Sequence, residues 1–205
     1  MRRCHAILLL GLALLTEPAG ARTYKLTVST HPAVTPPLYQ DEVEGILKKA
    51  STILQRCKVK FKFNGFKPFP TSAPGDITNE FDLETVHRVP ADIKVVRSIS
   101  FCVGEREKNE FEGCSWRPEG RPKTVIVTRW GSSLGDGIGQ VLWAHEFGHT
   151  TGLVHRYQQS NLNLMTPCEL QAFSQQVNQD ECDHFRVGPV SHYPPGLGDP
   201  CQTTN

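Results

Sequence analysis

Beyond its N-terminus the chain has no long hydrophobic run. No later stretch approaches the roughly twenty apolar residues that cross a bilayer, so no membrane span is expected. It also lacks an excess of charge of either sign. Setting aside the first 21 residues removes Arg2, Arg3 and Glu17 from totals of 22 basic and 21 acidic residues, and the remainder is electrically balanced. A balanced surface gives no reason to expect nucleic acid or anionic lipid as a partner. Cys-x-x-Cys is absent, so the cysteines do not carry a zinc-ligand spacing. Internal repeats and low-complexity segments are missing too, which excludes solenoids and tails.

The one long apolar run is N-terminal. Met1-Arg2-Arg3 precedes a ten-residue apolar core, Ala6 to Leu15, and a small-x-small site, Ala19-Gly20-Ala21. This is the order of a signal peptide, 1–21, too short to be a span. Cleavage after Ala21 leaves residues 22–205, a length suited to one domain with a substantial core. A secreted chain, extracellular or periplasmic, is expected. Of seven cysteines, Cys4 leaves with the signal and six remain: Cys57, Cys102, Cys114, Cys168, Cys182 and Cys201. An even number in an oxidising compartment implies disulfides, with fifteen possible arrangements. Cys102–Cys114 is expected to close a polar excursion between strands. Cys168–Cys182 and Cys57–Cys201 complete the expected set.

Periodicity places the elements. Thr23 to Ser29 alternates as a strand. Leu38 to Arg56 puts Val43, Ile46, Leu47, Ala50, Ile53 and Leu54 on one helical stripe. Val59 to Phe63 is a second strand. Residues 64–90, rich in Pro, Gly and polar groups, read as a surface connection. Ala91 to Val96 is a third strand, an irregular edge strand follows around Phe101 and Cys114-Ser115-Trp116, and Thr124 to Thr128 is apolar enough for a central strand. Gly131 to Gly139 reads as a loop. It has too few spaced carboxylates for calcium, with Asp136 the main candidate, so a cap and hinge is expected there. Gln140 then begins a helix, and Asn178 with Glu181 forms a capping box for a late one. Pattern alone implies an α/β fold with a mixed sheet.

Chemistry concentrates in His145-Glu146-Phe147-Gly148-His149-Thr150-Thr151-Gly152-Leu153-Val154-His155. Residues four apart share a helix face, so His145 and His149 can grip one metal ion. Glu146 lies beside it as a base. Gly152 can break the helix in a left-handed conformation and return His155 as a third ligand. Three nitrogens and an open fourth position describe a catalytic zinc site. Two His four apart occur by chance in ordinary helices. Gly is about 7% of residues and His is 8 of 205 here, so requiring Gly152 and His155 cuts chance matches by roughly a few hundredfold. His31, His87, His184 and His192 have no partner at metal spacing. Trp116, Trp130 and Trp143 are expected in the core or the cleft wall, and the Glu105 to Glu110 run on a solvated loop tip.

With Met165 ten residues after His155, this stretch resembles the signature of the metzincin clan of zinc endopeptidases, His-Glu-x-x-His-x-x-Gly-x-x-His followed by a Met-turn. The resemblance implies an α/β (α+β) catalytic domain. Its parts would be a twisted five-stranded sheet with an edge strand along the cleft, two helices, and a small irregular lower subdomain with one C-terminal helix. It implies one Zn²⁺ held by His145, His149 and His155, Met165 as a hydrophobic floor, and Glu146 as general base in peptide hydrolysis. Pro167 resembles the matrixin and adamalysin branches, whereas Arg156 stands where known branches usually place Ser, Asp, Glu or Pro and leaves the subfamily open. Val141, Pro167 and Leu170 are expected to line the pocket for the residue after the cleaved bond. The first strand begins so soon after Ala21 that no cysteine-bearing latency segment is expected. The expected partner is a peptide or protein substrate and the expected state a monomer. The alternative is a secreted zinc-binding scaffold of the same fold without activity. Retention of Glu146 speaks against it, since zinc binding alone needs no base.

Overall fold

The computed structural model describes residues 20–102, 110–115, 124–132, 135, 137–156, 161–166 and 170–189. A five-stranded sheet organises them. Its strands are β1 (Arg22–Thr30), β2 (Val59–Phe66), β4 (Ile93–Val96), β6 (Gly113–Cys114) and β7 (Val125–Thr128), in the order β2-β1-β4-β7-β6. All neighbours run parallel except β6, which is antiparallel to β7 and forms one edge. β4 and β7 are buried along their whole length, as expected of central strands covered on both faces. One face is covered by α1 (Gln40–Ile53) and α3 (Ile138–Thr150). Val28, Ile93, Val95, Val125 and Val127 meet Val43, Ile46, Leu47, Val141 and Phe147 there in the main core. α4 (Gln179–Val187) closes the far end of this layer through Cys182 and Phe185. This is the α/β architecture with a mixed sheet that the sequence implied, and the sheet is mainly parallel.

The other face corrects the reading of residues 64–90. That segment is no mere surface connection. It holds a short strand, β3 (Asp76–Ile77), which pairs with β5 (Ser98–Ile99), and helix α2 (Glu80–His87). Asn79 caps α2 by accepting from the Asp82 amide. Leu83 and Val86 pack with Ile77, Ile99 and Ile126 in a second core. Two turns of helix carry too little periodicity to stand out between prolines, so only packing onto the sheet reveals them.

The cysteine pairing is corrected too. Cys102–Cys114 forms as expected, but Cys57 bonds Cys182 across a sequence separation of 125, which excludes both Cys57–Cys201 and Cys168–Cys182. Cys57 ends the short turn after α1, and Cys182 faces it from the buried side of α4, so the two Cα atoms come within 4.7 Å. Cys168 and Cys201 lie outside the described residues, as do Asp136, Trp116 and the signal-like run up to Ala19. Among the described residues no helix is long and apolar enough to cross a membrane.

Candidate metal centre

α3 is buried from Gly139 through Gly148, and its sequence explains how it seats. Trp143 fills the core and donates from Nε1 to Ser132 Oγ at 3.1 Å. Phe147, between the two metal-spaced histidines, packs on Tyr24 and Phe61 with ring centroids 4.8 Å from each. These contacts fix the rotation of the helix about its axis, and so the direction of His145 and His149. The helix ends at Thr150, and Gly152 takes φ 94°, the left-handed turn anticipated for it.

The turn brings three imidazoles together. Nε2 of His149 lies 3.0 Å from Nε2 of His145 and 3.1 Å from Nε2 of His155, and the third edge is 3.3 Å. The opposite ring nitrogens settle the tautomers. His145 Nδ1 lies 2.7 Å from the Leu164 carbonyl and His149 Nδ1 lies 2.9 Å from the Leu153 carbonyl. A carbonyl only accepts, so each Nδ1 carries the hydrogen and each Nε2 turns a bare lone pair inward. Burial lowers the pKa of His145 to about 4, with the Leu164 bond opposing, so its ring is neutral at physiological pH. Converging lone pairs repel unless a cation lies between them. Tetrahedral zinc with Zn–N bonds of about 2.0–2.1 Å would set its ligands about 3.3–3.4 Å apart. The observed triangle is close to that, so His145, His149 and His155 fit a single metal ion.

The surrounding residues hold this arrangement. Leu164, whose carbonyl orients His145, precedes Met165, and both are fully buried. Met165 Sδ packs against α3 at Gly148, where a Cβ would come within 2.7 Å of it. Its carbonyl accepts from the Arg156 amide at 2.7 Å, joining the residue after the third ligand to the turn below. Glu146 is buried next to His145.

The remaining predicted positions fall as follows. Val141 is fully buried in the main core, Leu170 is partly buried against it, and Pro167 lies outside the described residues. Of the other histidines, His31 accepts from the Ala33 amide, His87 bonds Thr124 at 2.7 Å, and His184 donates to the Thr151 carbonyl. Trp130 is 72% exposed, not part of the core. Sequence reading missed Gly113 and Ser115 of the edge-strand segment, which contact Glu146. No spacing rule links them to a residue thirty positions away.

No family model matches the chain, and no curated protein matches it. Among solved structures, the crystal structure of metalloproteinase-II from Bacteroides fragilis is similar, with a TM-score of 0.54 and 12% sequence identity. The alignment covers 84% of this chain and 54% of that one, so the chain spans about half the length of its structural neighbour. The likeness is one of fold.

Proposed function

We propose that the chain is a secreted zinc endopeptidase of the metzincin type, with Glu146 as its general base. The observation that carries this reading is the triangle of three inward-facing Nε2 atoms with a buried carboxylate on the same helix. Zinc, when bound, would supply Lewis-acid polarisation of the scissile carbonyl and would acidify a water. His145, His149 and His155 would hold it, the rings of His145 and His149 oriented by the Leu164 and Leu153 carbonyls. Glu146 accepts the proton of the attacking water and passes it to the leaving amine. Residue 146 is not needed as a ligand, since three nitrogens already fill the protein's share of a catalytic site. The apolar, partly buried Leu170 beyond the Met165 turn supports a preference for a hydrophobic residue after the cleaved bond, whereas Val141, fully buried in the core, does not line such a pocket.

The test is a quenched-fluorescence peptide library incubated with the zinc-loaded protein, with and without chelator, alongside Glu146→Ala. Cleavage should require zinc. Glu146→Ala should retain the metal and lose roughly 10²–10⁴-fold in rate, the usual contribution of an acid–base group. A wild type that binds zinc but cleaves no peptide would favour the inactive scaffold. Cleavage by Glu146→Ala at the wild-type rate would remove Glu146 from the mechanism.

A further inference from the structure

β6 and the residue after it alternate as a strand should: Cys114 points to one face, and Gly113 and Ser115 to the other. The register confirms the sides. Cys114 pairs with Ile126 of the second core, whereas Gly113 pairs with Val127 of the main core, the side of α3. Both residues on that side meet Glu146. A Cβ built on Gly113 would sit 2.5 Å from Glu146 Oε1 and 2.8 Å from its Cγ and Cδ, so the carboxylate occupies the space that a side chain at 113 would fill. Ser115 Oγ lies 2.7 Å from Glu146 Oε2 and 2.9 Å from the Glu146 carbonyl oxygen. Between them, Cys114 is bonded to Cys102 and is almost wholly buried, which ties this short strand down.

We propose that Gly113 and Ser115 form a cradle that positions the Glu146 carboxylate, with Ser115 a positioning residue of the hydrolytic reaction. The inference rests on the endopeptidase reading above. A Glu side chain has three rotatable bonds, and a base must face the water it deprotonates within hydrogen-bond reach. Ser115 fixes one carboxylate oxygen by a charge-assisted hydrogen bond, which is short and strong compared with a neutral one. The hydroxyl carries a single hydrogen, and the nearby Glu146 carbonyl gives it a second acceptor. Gly113 serves by the opposite property, since any side chain there would push the carboxylate away.

The experiment uses the zinc-loaded full chain and the best-cleaved peptide of the library. Ser115→Ala should lower kcat roughly 10-fold or more with KM and zinc content unchanged. Ser115→Thr, which keeps the hydroxyl, should recover most of the loss. Gly113→Ala should fold, because the clashing group is the movable end of a side chain, and should also lower kcat. As a readout independent of turnover, urea unfolding of Ser115→Ala, Glu146→Ala and the double variant should give a coupling of roughly 5-fold or more in the folding equilibrium constant. Wild-type kcat in Ser115→Ala, no rescue by Ser115→Thr, or zero coupling would overturn the cradle while leaving the endopeptidase reading intact. A wild type that cleaves no peptide would overturn both.

Discussion

Arg156 and Glu181 form a bidentate ion pair that joins the third candidate metal ligand to the C-terminal helix. The guanidinium donates from Nε to Oε1 at 3.0 Å and from Nη2 to Oε2, and its Nη1 reaches Asn163 Oδ1 at 2.6 Å. Glu181 is also the third residue of α4 and completes the capping box with Asn178. The residue after it, Cys182, is bonded to Cys57. One side chain thus ties His155, the Met165 turn, the cap of α4 and, through the disulfide, the end of α1. Arg156, an unusual residue after the third histidine of such a motif, has a structural reason to be there.

Removing that guanidinium would leave a carboxylate that is only 4% exposed without its cation, with the Asn178 amide still donating to it. Breaking a buried pair by deleting one partner costs about 3–5 kcal/mol. Since Arg156 itself is partly exposed, we expect Arg156→Ala to cost about 3 kcal/mol, or about 6–12 °C in Tm for a chain of this size. Arg156→Lys should recover little, because an ammonium cannot reproduce the fork. Thermal unfolding decides it: a change under 2 °C would show the pair to be dispensable.

Metal binding should register in stability as well as in activity. One zinc per chain is expected by elemental analysis. Zinc at 100 times its Kd should stabilise the native state by about 2.7 kcal/mol, and a chelator should reverse the gain. In His155→Ala the zinc-dependent rise in Tm should largely vanish although the two helical histidines remain. An undiminished rise would take His155 out of the ligand set.

Lys94 gives a pH signature away from the metal. It is fully buried in β4, its Nζ lies 3.4 Å from the His87 carbonyl, and burial lowers its pKa to about 7, with Asp92 opposing. Between about pH 7 and the ordinary value of 10.5 the unfolded chain carries a proton here and the folded chain does not. Stability should therefore rise with pH across that window, and the penalty should be complete below pH 7. Lys94→Met should raise stability at pH 6–7 by on the order of 2–4 kcal/mol and flatten the rise between pH 7 and 10. Equal pH slopes in urea unfolding of both proteins would refute the buried-lysine account.

Disulfide mapping should recover Cys57 joined to Cys182 and Cys102 to Cys114. The first closes a separation of 125 residues; chain entropy for such a loop sets an upper figure of about 5 kcal/mol, and loss of a native disulfide costs about 2–5 kcal/mol. Replacing Cys57 and Cys182 together by Ala should cost about that much in urea. Mass spectra linking Cys57 to Cys201 would contradict the packing of α4 against the turn that follows α1.

What sequence alone determined is local. The spacing of four between His145 and His149 was readable as one face of a helix with Glu146 between them, and Gly152 as the turn that returns His155, because backbone sterics at a single residue decide it. Val125 to Thr128 was legible as a buried strand, and Asn178 with Glu181 as a capping box, for the same reason: each is written within a few neighbouring positions. Tertiary structure alone decided what depends on distant segments meeting. It paired Cys57 with Cys182, packed α2 onto the back of the sheet, set Arg156 against Glu181, and laid Gly113 and Ser115 over Glu146. Those contacts join residues 25 to 125 positions apart, where no short-range period or spacing operates and the burial of apolar faces chooses the partner.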